Sequence, residues 1–190
     1  MEPGKIIESG LWRWLTGTGL ERFELIRADD GWVLGGTILA RPESPTEARY
    51  RIVCDPQFRT RLVQITLRDS GGERRLEIAT KNGRWYANGD EVASVQGAID
   101  IDLGWSPSTN TLPIRRLGLE VGQSSGEIRA AWVRFPELTL KPLPQEYRRL
   151  KEREYLYMSR SGAFQAKLLV DDYGLVIEYE RFWQRVMKDV

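Results

Sequence analysis

The segment Leu20-Glu21-Arg22-Phe23-Glu24-Leu25-Ile26-Arg27-Ala28-Asp29-Asp30-Gly31-Trp32-Val33-Leu34-Gly35-Gly36-Thr37-Ile38-Leu39-Ala40 decides the fold class. Leu20 to Ala28 reads as one strand and Trp32 to Ala40 as its return, with the two-residue alternation of a pleated strand. Asp30-Gly31 between them is a hairpin signal, because both residues tolerate the positive φ of a tight primed turn. A chain that repeats this unit builds a sheet by adding each strand beside the last.

The unit does repeat in both directions. A loop over Arg41 to Ala48, with Pro42 and Pro45, leads to strands at Arg49–Cys54 and Arg59–Arg68, joined across Asp55-Pro56. Ser70-Gly71-Gly72 turns the chain into Arg74–Thr80, and Lys81-Asn82-Gly83 turns it into Arg84–Ala87. Asn88-Gly89-Asp90 follows, then a strand at Ala98–Leu103. Further on, Glu127–Phe135 and Glu137–Lys141 read as strands separated by Pro136, and Leu143–Leu150 as a loop opened by Pro144. Glu154–Arg160, Phe164–Val170 and Leu175–Tyr179 form a second meander, turned at Ser161-Gly162 and Asp171 to Gly174. Arg181–Asp189 continues as a strand or closes with a short helix. The expected class is mainly β, a curved antiparallel sheet with one or two short helices. Residues 1–190 form one domain on this reading, with strand-rich halves at about 1–104 and 113–190.

Between the halves, at 105–112, lies a polar run that continues as Ser106-Pro107-Ser108-Thr109-Asn110-Thr111-Leu112-Pro113-Ile114-Arg115-Arg116-Leu117. Its apolar anchors and fixed proline angles are not those of a solvated linker. Thr111 can cap a short helix, with Pro113 in the first turn and Gly118 ending it. Leu112, Ile114 and Leu117 then supply its buried side.

Composition excludes more than it suggests. The 190 residues carry 41% hydrophobic residues, with seven Trp, seven Tyr and five Phe, enough for a substantial core. A net charge of +1 provides no field to gather nucleic acid or an anionic membrane. There is no histidine, which removes the commonest general base near neutral pH and the commonest metal ligand. A single cysteine, Cys54, excludes an internal disulfide and a multi-thiolate zinc site. Thr16-Gly17-Thr18-Gly19 lacks the helix and lysine of a phosphate loop, and no serine nucleophile elbow is present. Met1 to Gly10 shows no signal pattern and no apolar run reaches the ~18 residues of a membrane helix. These observations lead to the expectation of a cytoplasmic protein with no integral membrane segment and no cofactor.

Several side chains are candidates for ligand contact. Asp100 and Asp102 share one face of their strand, opposite Ile99, Ile101 and Leu103. They are a carboxylate pair for acid–base work or magnesium, or charges facing solvent or arginines. Arg59 and Arg61 lead into the stripe Val63, Ile65, Leu67, as a charged mouth on an apolar wall or as edge charges. Arg51 alternates with Tyr50, Ile52 and Cys54, which makes Cys54 a buried core thiol. Tyr155 and Tyr157 share a face, Tyr179 and Trp183 fall on a later segment, and Trp12 and Trp14 share a face near the N-terminus. Such rings stack on sugars or line an acyl slot, or simply pack the core.

Several segments together resemble a family of bacterial proteins described as "Putative glycolipid-binding". They are Gly19-Leu20-Glu21-Arg22, Tyr50 to Asp55, Arg59-Thr60-Arg61, Asp100 to Leu103, Ser108 to Leu117 and Val170 to Tyr179. The run Thr109-Asn110-Thr111-Leu112-Pro113-Ile114-Arg115-Arg116-Leu117 is the most specific of them. The resemblance implies a spiral β-roll similar to bacterial lipoprotein carriers, with an apolar cavity that has a polar end. On that basis the ligand-contact candidates are Arg22, Arg51, Arg59, Arg61, Asp100, Asp102, Asn110, Arg115, Arg116, Tyr155, Tyr157 and Tyr179. The implied partner is a glycolipid or other amphiphilic small molecule, bound without catalysis. Two alternatives stand beside it: a glycan- or glycolipid-processing enzyme using Asp55, Asp100 or Asp102, and an interaction module in which Asn110 is a buried bracket.

Overall fold

The computed structural model of the chain describes residues 4–40, 44–160 and 162–188. Arg41 and Pro42 of the expected loop, Ser161 of the expected turn and Asp189 lie outside the described residues. The first meander runs through β1 (Lys5–Trp14), β2 (Gly19–Ala28), β3 (Gly31–Ala40), β4 (Thr46–Cys54), β5 (Thr60–Asp69), β6 (Gly72–Lys81), β7 (Arg84–Ala87) and β8 (Asp90–Glu91). The second runs through β9 (Asp100–Leu103), β10 (Ile128–Arg134), β11 (Thr139–Arg149), β12 (Glu154–Ser159), β13 (Phe164–Val170), β14 (Val176–Tyr179) and β15 (Trp183–Lys188).

Among the described residues, all fifteen strands belong to one sheet, ordered β8-β7-β6-β5-β4-β3-β2-β1-β15-β14-β13-β12-β11-β10-β9. The join between the meanders is the antiparallel pair β1–β15, so the chain's two ends meet at the middle of the sheet. The Trp12 indole N–H reinforces that seam by donating to the Val176 carbonyl at 2.7 Å. The curved sheet stays open, with β8 and β9 as its edges. The β9 edge nevertheless folds back onto β5. Thr60 N–H donates to the Ile99 carbonyl at 3.3 Å, and the Ile101 N–H donates to Thr60 Oγ1 at 3.0 Å.

The expected strands of the first half form where the alternation placed them, except that β4 begins at Thr46, inside the expected loop Arg41–Ala48, and β9 begins at Asp100 rather than Ala98. Three further features differ. The expected loop at Leu143–Leu150 belongs to β11 as far as Arg149, and that strand carries Pro142 and Pro144. Residues 139–144 pair with β10, but β12 joins β11 only from Gln145 onward. A segment with one unpaired side tolerates residues that lack an N–H. Secondly, β9 and β10 run parallel. The long connection between them is what a parallel pair requires. Thirdly, the register of β4 against β5 passes from Cys54↔Thr60 to Val53↔Leu62, so Arg61 is an extra, bulged residue. The bulge breaks the phase that would have carried Arg59 and Arg61 onto the face of Val63 and Ile65. Both arginines are exposed.

The polar run is helical. A 3₁₀ turn at Ser108–Asn110 leads into α1 (Thr111–Leu117), which ends where Gly118 takes φ 56° and donates its N–H to the Ile114 carbonyl. Thr111 is not the cap. Its hydroxyl donates to the Gly174 carbonyl at 3.1 Å, on the turn between β13 and β14. Trp105, Leu112 and Ile114 join Phe23, Ile52 and Ile65 of the first meander and Leu168 and Val176 of the second in one apolar cluster. Each such side chain contributes roughly 1.5–3 kcal/mol when fully buried.

The β2–β3 turn depends on Gly31. Its φ is 147°, and a Cβ there would sit 2.1 Å from the Cys54 carbonyl oxygen. Backbone cannot move aside as a side-chain tip can. Gly31→Ala is expected to destabilise the fold by about 1–3 kcal/mol, read as a lower urea midpoint with unchanged m-value.

Candidate functional site

Two cavities meet at Trp14, near the turn from β1 to β2: a chamber on the inner side of the sheet, and a groove on the outward face of β2 to β4, where Leu20, Leu39 and Glu47 alternate with the buried Glu21, Ile38 and Ala48. The first is a partly enclosed chamber of about 310 Å³. Tyr157, Phe164, Tyr179 and Phe182 form one wall, packed edge to face. Tyr157 and Tyr179 lie 6.1 Å apart at 73°, and Tyr179 and Phe182 lie 5.5 Å apart at 72°. Trp14 and Trp183, stacked at 5.4 Å, and Trp132 supply further wall. The polar lining comes from Asp102, Ser106, Asn110, Ser159 and Arg160.

The chamber's polar groups are held by strands and by the polar run. Gln145 on β11 donates its amide to Asp102 Oδ2 at 2.5 Å and to the Tyr157 hydroxyl at 3.1 Å. Tyr147 donates its hydroxyl to Asn110 Oδ1 at 2.9 Å, while Asn110 Nδ2 donates to the Pro107 carbonyl at 3.1 Å. Burial pushes the Asp102 carboxyl up to about 6, with the Gln145 hydrogen bond opposing it. Burial, reinforced by the charges of Tyr157 and Asp102, holds the Tyr179 phenol protonated well above its ordinary range.

The second cavity is an open groove of about 720 Å³, lined by Trp14, Leu20, Leu39, Ala40 and Pro45, with Arg13, Glu47, Arg68 and Asp69 also on its walls. Leu20 and Leu39 are direct cross-strand partners on β2 and β3. They remain 40% and 52% exposed. Trp14 lines both cavities. Its ring is covered by the β1–β2 connection, where a Cβ on Gly17 would approach it to 3.0 Å, and its indole N–H donates to Thr16 Oγ1 at 2.9 Å.

Behind the chamber lies a second buried carboxylate that sequence reasoning missed. Glu21 is fully buried, and its Oε1 accepts from Tyr50 at 2.6 Å and from Ser106 at 2.7 Å. Ser106 shares a 2.6 Å contact with Ser108 and reaches the chamber wall. Glu21 Oε2 has no hydrogen-bond partner among the described residues. Burial pushes this carboxyl up to about 8, against the two hydrogen bonds. The arrangement needs Gly36, because a Cβ there would lie 2.6 Å from the Tyr50 ring that covers it. The signal was available: Glu21 falls in phase with Phe23 and Leu25, the buried face of β2.

Of the residues singled out from sequence, Asp102, Asn110, Tyr157 and Tyr179 line the chamber. The others lie elsewhere. Asp100 is buried and tied to Arg116 by contacts of 2.6, 3.0 and 3.2 Å, with burial raising its carboxyl and the guanidinium pulling it back. Arg22 is exposed and paired with Glu24 at 2.7 Å. Arg51 alternates outward from Tyr50 and Ile52 and is exposed, as are Arg59 and Arg61. Arg115 donates to the Asp172 carbonyl and lines a separate hollow with Tyr155. Asp55 spends its carboxylate on the Gln57 and Arg59 backbone N–H groups, and Cys54 is a buried thiol that desolvation keeps protonated. No group of three or more potential metal ligands occurs among the described residues. Trp132 and Gln145 escaped notice because β9–β10 pairing and the extent of β11 carry no short-range signal. Trp132 pairs with Asp102 across that parallel ladder.

A family model described as "Putative glycolipid-binding" matches residues 10–185. The chain belongs to this family. A crystal structure of a DUF1089 family protein from Pseudomonas aeruginosa is 35% identical and superimposes with a TM-score of 0.79, covering 87% of this chain and 92% of that one. No curated protein matches the chain. The family likeness extends over both cavities, since Trp14 and Trp183 lie within the matched span. Among the described residues no helix is long and apolar enough to cross a membrane.

The Glu21 proton makes a stability prediction. Its carboxyl binds a proton more tightly in the folded chain than at the ordinary value of 4.5. This contribution is complete below pH 4.5 and is lost as pH rises through about 8. Glu21→Gln removes the titration while keeping an acceptor for Tyr50 and Ser106. Thermal melts at pH 5 and pH 9 are expected to differ less for the variant than for the wild type.

Proposed function

We propose that this protein binds, without catalysis, a glycolipid or related amphiphile, with the headgroup in the aromatic chamber and the acyl chain along the groove. The observation that carries the reading is Trp14, one side chain that lines both a polar chamber and an apolar groove. An amphiphile presents the same adjacency of polar and apolar parts. Leu20 and Leu39, paired and exposed, gain from cover by a hydrocarbon chain at about 0.8 kcal/mol per buried methylene. Aromatic walls with Asp102, Asn110 and Tyr179 suit hydroxyl-bearing rings, where stacking and directional hydrogen bonds act together. The family description points the same way.

Glycoside hydrolysis uses two carboxyl groups about 5–9 Å apart across the scissile bond. Asp100 is tied to Arg116, Asp55 to backbone, and Asp102 is the one carboxylate that lines the chamber among the described residues. That distribution favours binding over chemistry. The bracket reading of Asn110 is compatible with binding, because its side chain holds the run in place while lining the chamber.

Calorimetry with hexyl and decyl β-D-glucoside below their micelle-forming concentrations tests the reading. Decyl glucoside is expected to bind at least about tenfold more tightly than hexyl, since four more methylenes are covered. Leu39→Lys is expected to abolish that dependence on chain length while leaving the melting temperature within about a degree or two, because Leu39 is a surface residue. No binding of either glucoside would overturn it.

A further inference from the structure

The chamber carries information about the headgroup that the groove does not. We infer that the headgroup is a single uncharged sugar ring, and that Asp102, held by Gln145, is the residue that selects it against anionic headgroups. The inference rests on the amphiphile reading above and adds the chemical class of the polar end.

Asp102 has one carboxylate oxygen engaged by Gln145, and its other oxygen has no protein hydrogen-bond donor among the described residues. Unlike Glu21 Oε2, that second oxygen is not sealed away from the chamber, and Asp102 lines the cavity directly. Asn110 uses one amide hydrogen on Pro107 and has a second to offer. Tyr179 and Trp132 also line the chamber, and neither the Tyr179 hydroxyl nor the Trp132 indole N–H has a hydrogen-bond partner among the described residues. The wall thus mixes a carboxylate acceptor with neutral donors. A polyol satisfies both kinds, since each hydroxyl donates and accepts.

An anionic headgroup meets the opposite arrangement. Every arginine singled out from the sequence lies elsewhere: Arg22, Arg51, Arg59, Arg61 and Arg115 are exposed outside the chamber, and Arg116 is committed to Asp100. Arg160 is the one cation on the lining among the described residues, and its guanidinium sits 5.7 Å over the Trp132 ring. A phosphate brought into this space faces Asp102 in a poorly solvated site, where like charges repel strongly. A quaternary ammonium suits Asp102 but not the rings. Tyr157, Phe164, Tyr179 and Phe182 pack on one another with centroids 5.3–6.4 Å apart. They use their faces and edges on one another, and an ammonium, which accepts no hydrogen bond, leaves the free Asn110 amide hydrogen unanswered. A volume of about 310 Å³ lies at the small end for ligand pockets and fits one ring better than an oligosaccharide.

Three amphiphiles with one tail separate the classes: decyl β-D-glucoside, decyl phosphate and decyltrimethylammonium, titrated calorimetrically into the intact chain at pH 7.5. The expected order is glucoside first, by at least about tenfold over each of the others. Asp102→Asn is expected to weaken the glucoside about tenfold and to bring decyl phosphate to parity with it. Tyr179→Phe, which removes one hydroxyl, is expected to weaken the glucoside several-fold and leave decyltrimethylammonium unchanged. It keeps the test alive if the Asp102 variant does not fold. Equal binding of all three, with chain-length dependence intact, overturns the headgroup inference and leaves the amphiphile reading standing. Preference for the phosphate or the ammonium overturns it as well. Failure of all three to bind overturns both.

Discussion

A curved sheet with one apolar face has to cover that face, and here the cover is a short polar helix-turn held by buried hydrogen bonds. Ser106 reaches Glu21 on β2, Thr109 accepts from the backbone of Leu103, Asn110 meets Tyr147 on β11, and Thr111 reaches Gly174. These contacts tie one segment to both meanders at once. Each hydroxyl or amide satisfies a group whose burial without a partner would cost roughly 1–3 kcal/mol. Leu112 and Ile114 add apolar burial on the same segment. The run occupies part of the concave side and leaves the chamber beside Asp102 and Trp14 unfilled. A cavity that persists within a well-packed interior has to be walled by rigid parts, and aromatic rings on strands supply them.

The fold was legible where local chemistry decides it. Asp30-Gly31, Asn82-Gly83 and Asn88-Gly89 turn the chain where the sequence pattern placed turns, and the alternation between them sets which side of each strand is buried. What could not be read was whatever depends on distant pairing. Arg61 faces solvent because β5 bulges against β4. Pro142 and Pro144 sit in a strand because β12 stops short of them. No short window contains either fact. The return of β15 to β1 is likewise a meeting of the chain's two ends.

The site was legible in part for the same reason. Asp102, Asn110, Tyr157 and Tyr179 are among the positions that the family resemblance singled out, and they line the chamber, but the arginines grouped with them are scattered by register and bulges. Glu21 shows how a fold can hide a carboxylate. Gly36 lets the Tyr50 ring lie flat on β3, Tyr50 then reaches Glu21, and Glu21 in turn holds Ser106 on the chamber wall. Its proton is kept by burial, so the group behaves as a neutral hydrogen-bonding strut rather than as a charge. Asp102, less deeply set and facing the cavity, is the carboxylate left to meet a ligand.

The claim that one amphiphile spans both cavities across Trp14 has a direct crystallographic measurement. A decyl glucoside carrying bromine at the tail terminus, diffused into crystals of the protein, reports the tail by anomalous scattering and the ring by ordinary density. The account predicts bromine in the groove beside Leu20 and Leu39, with the sugar against Asp102 and Tyr179. Bromine outside that groove, or a sugar ring on the outer face of the sheet, would contradict it.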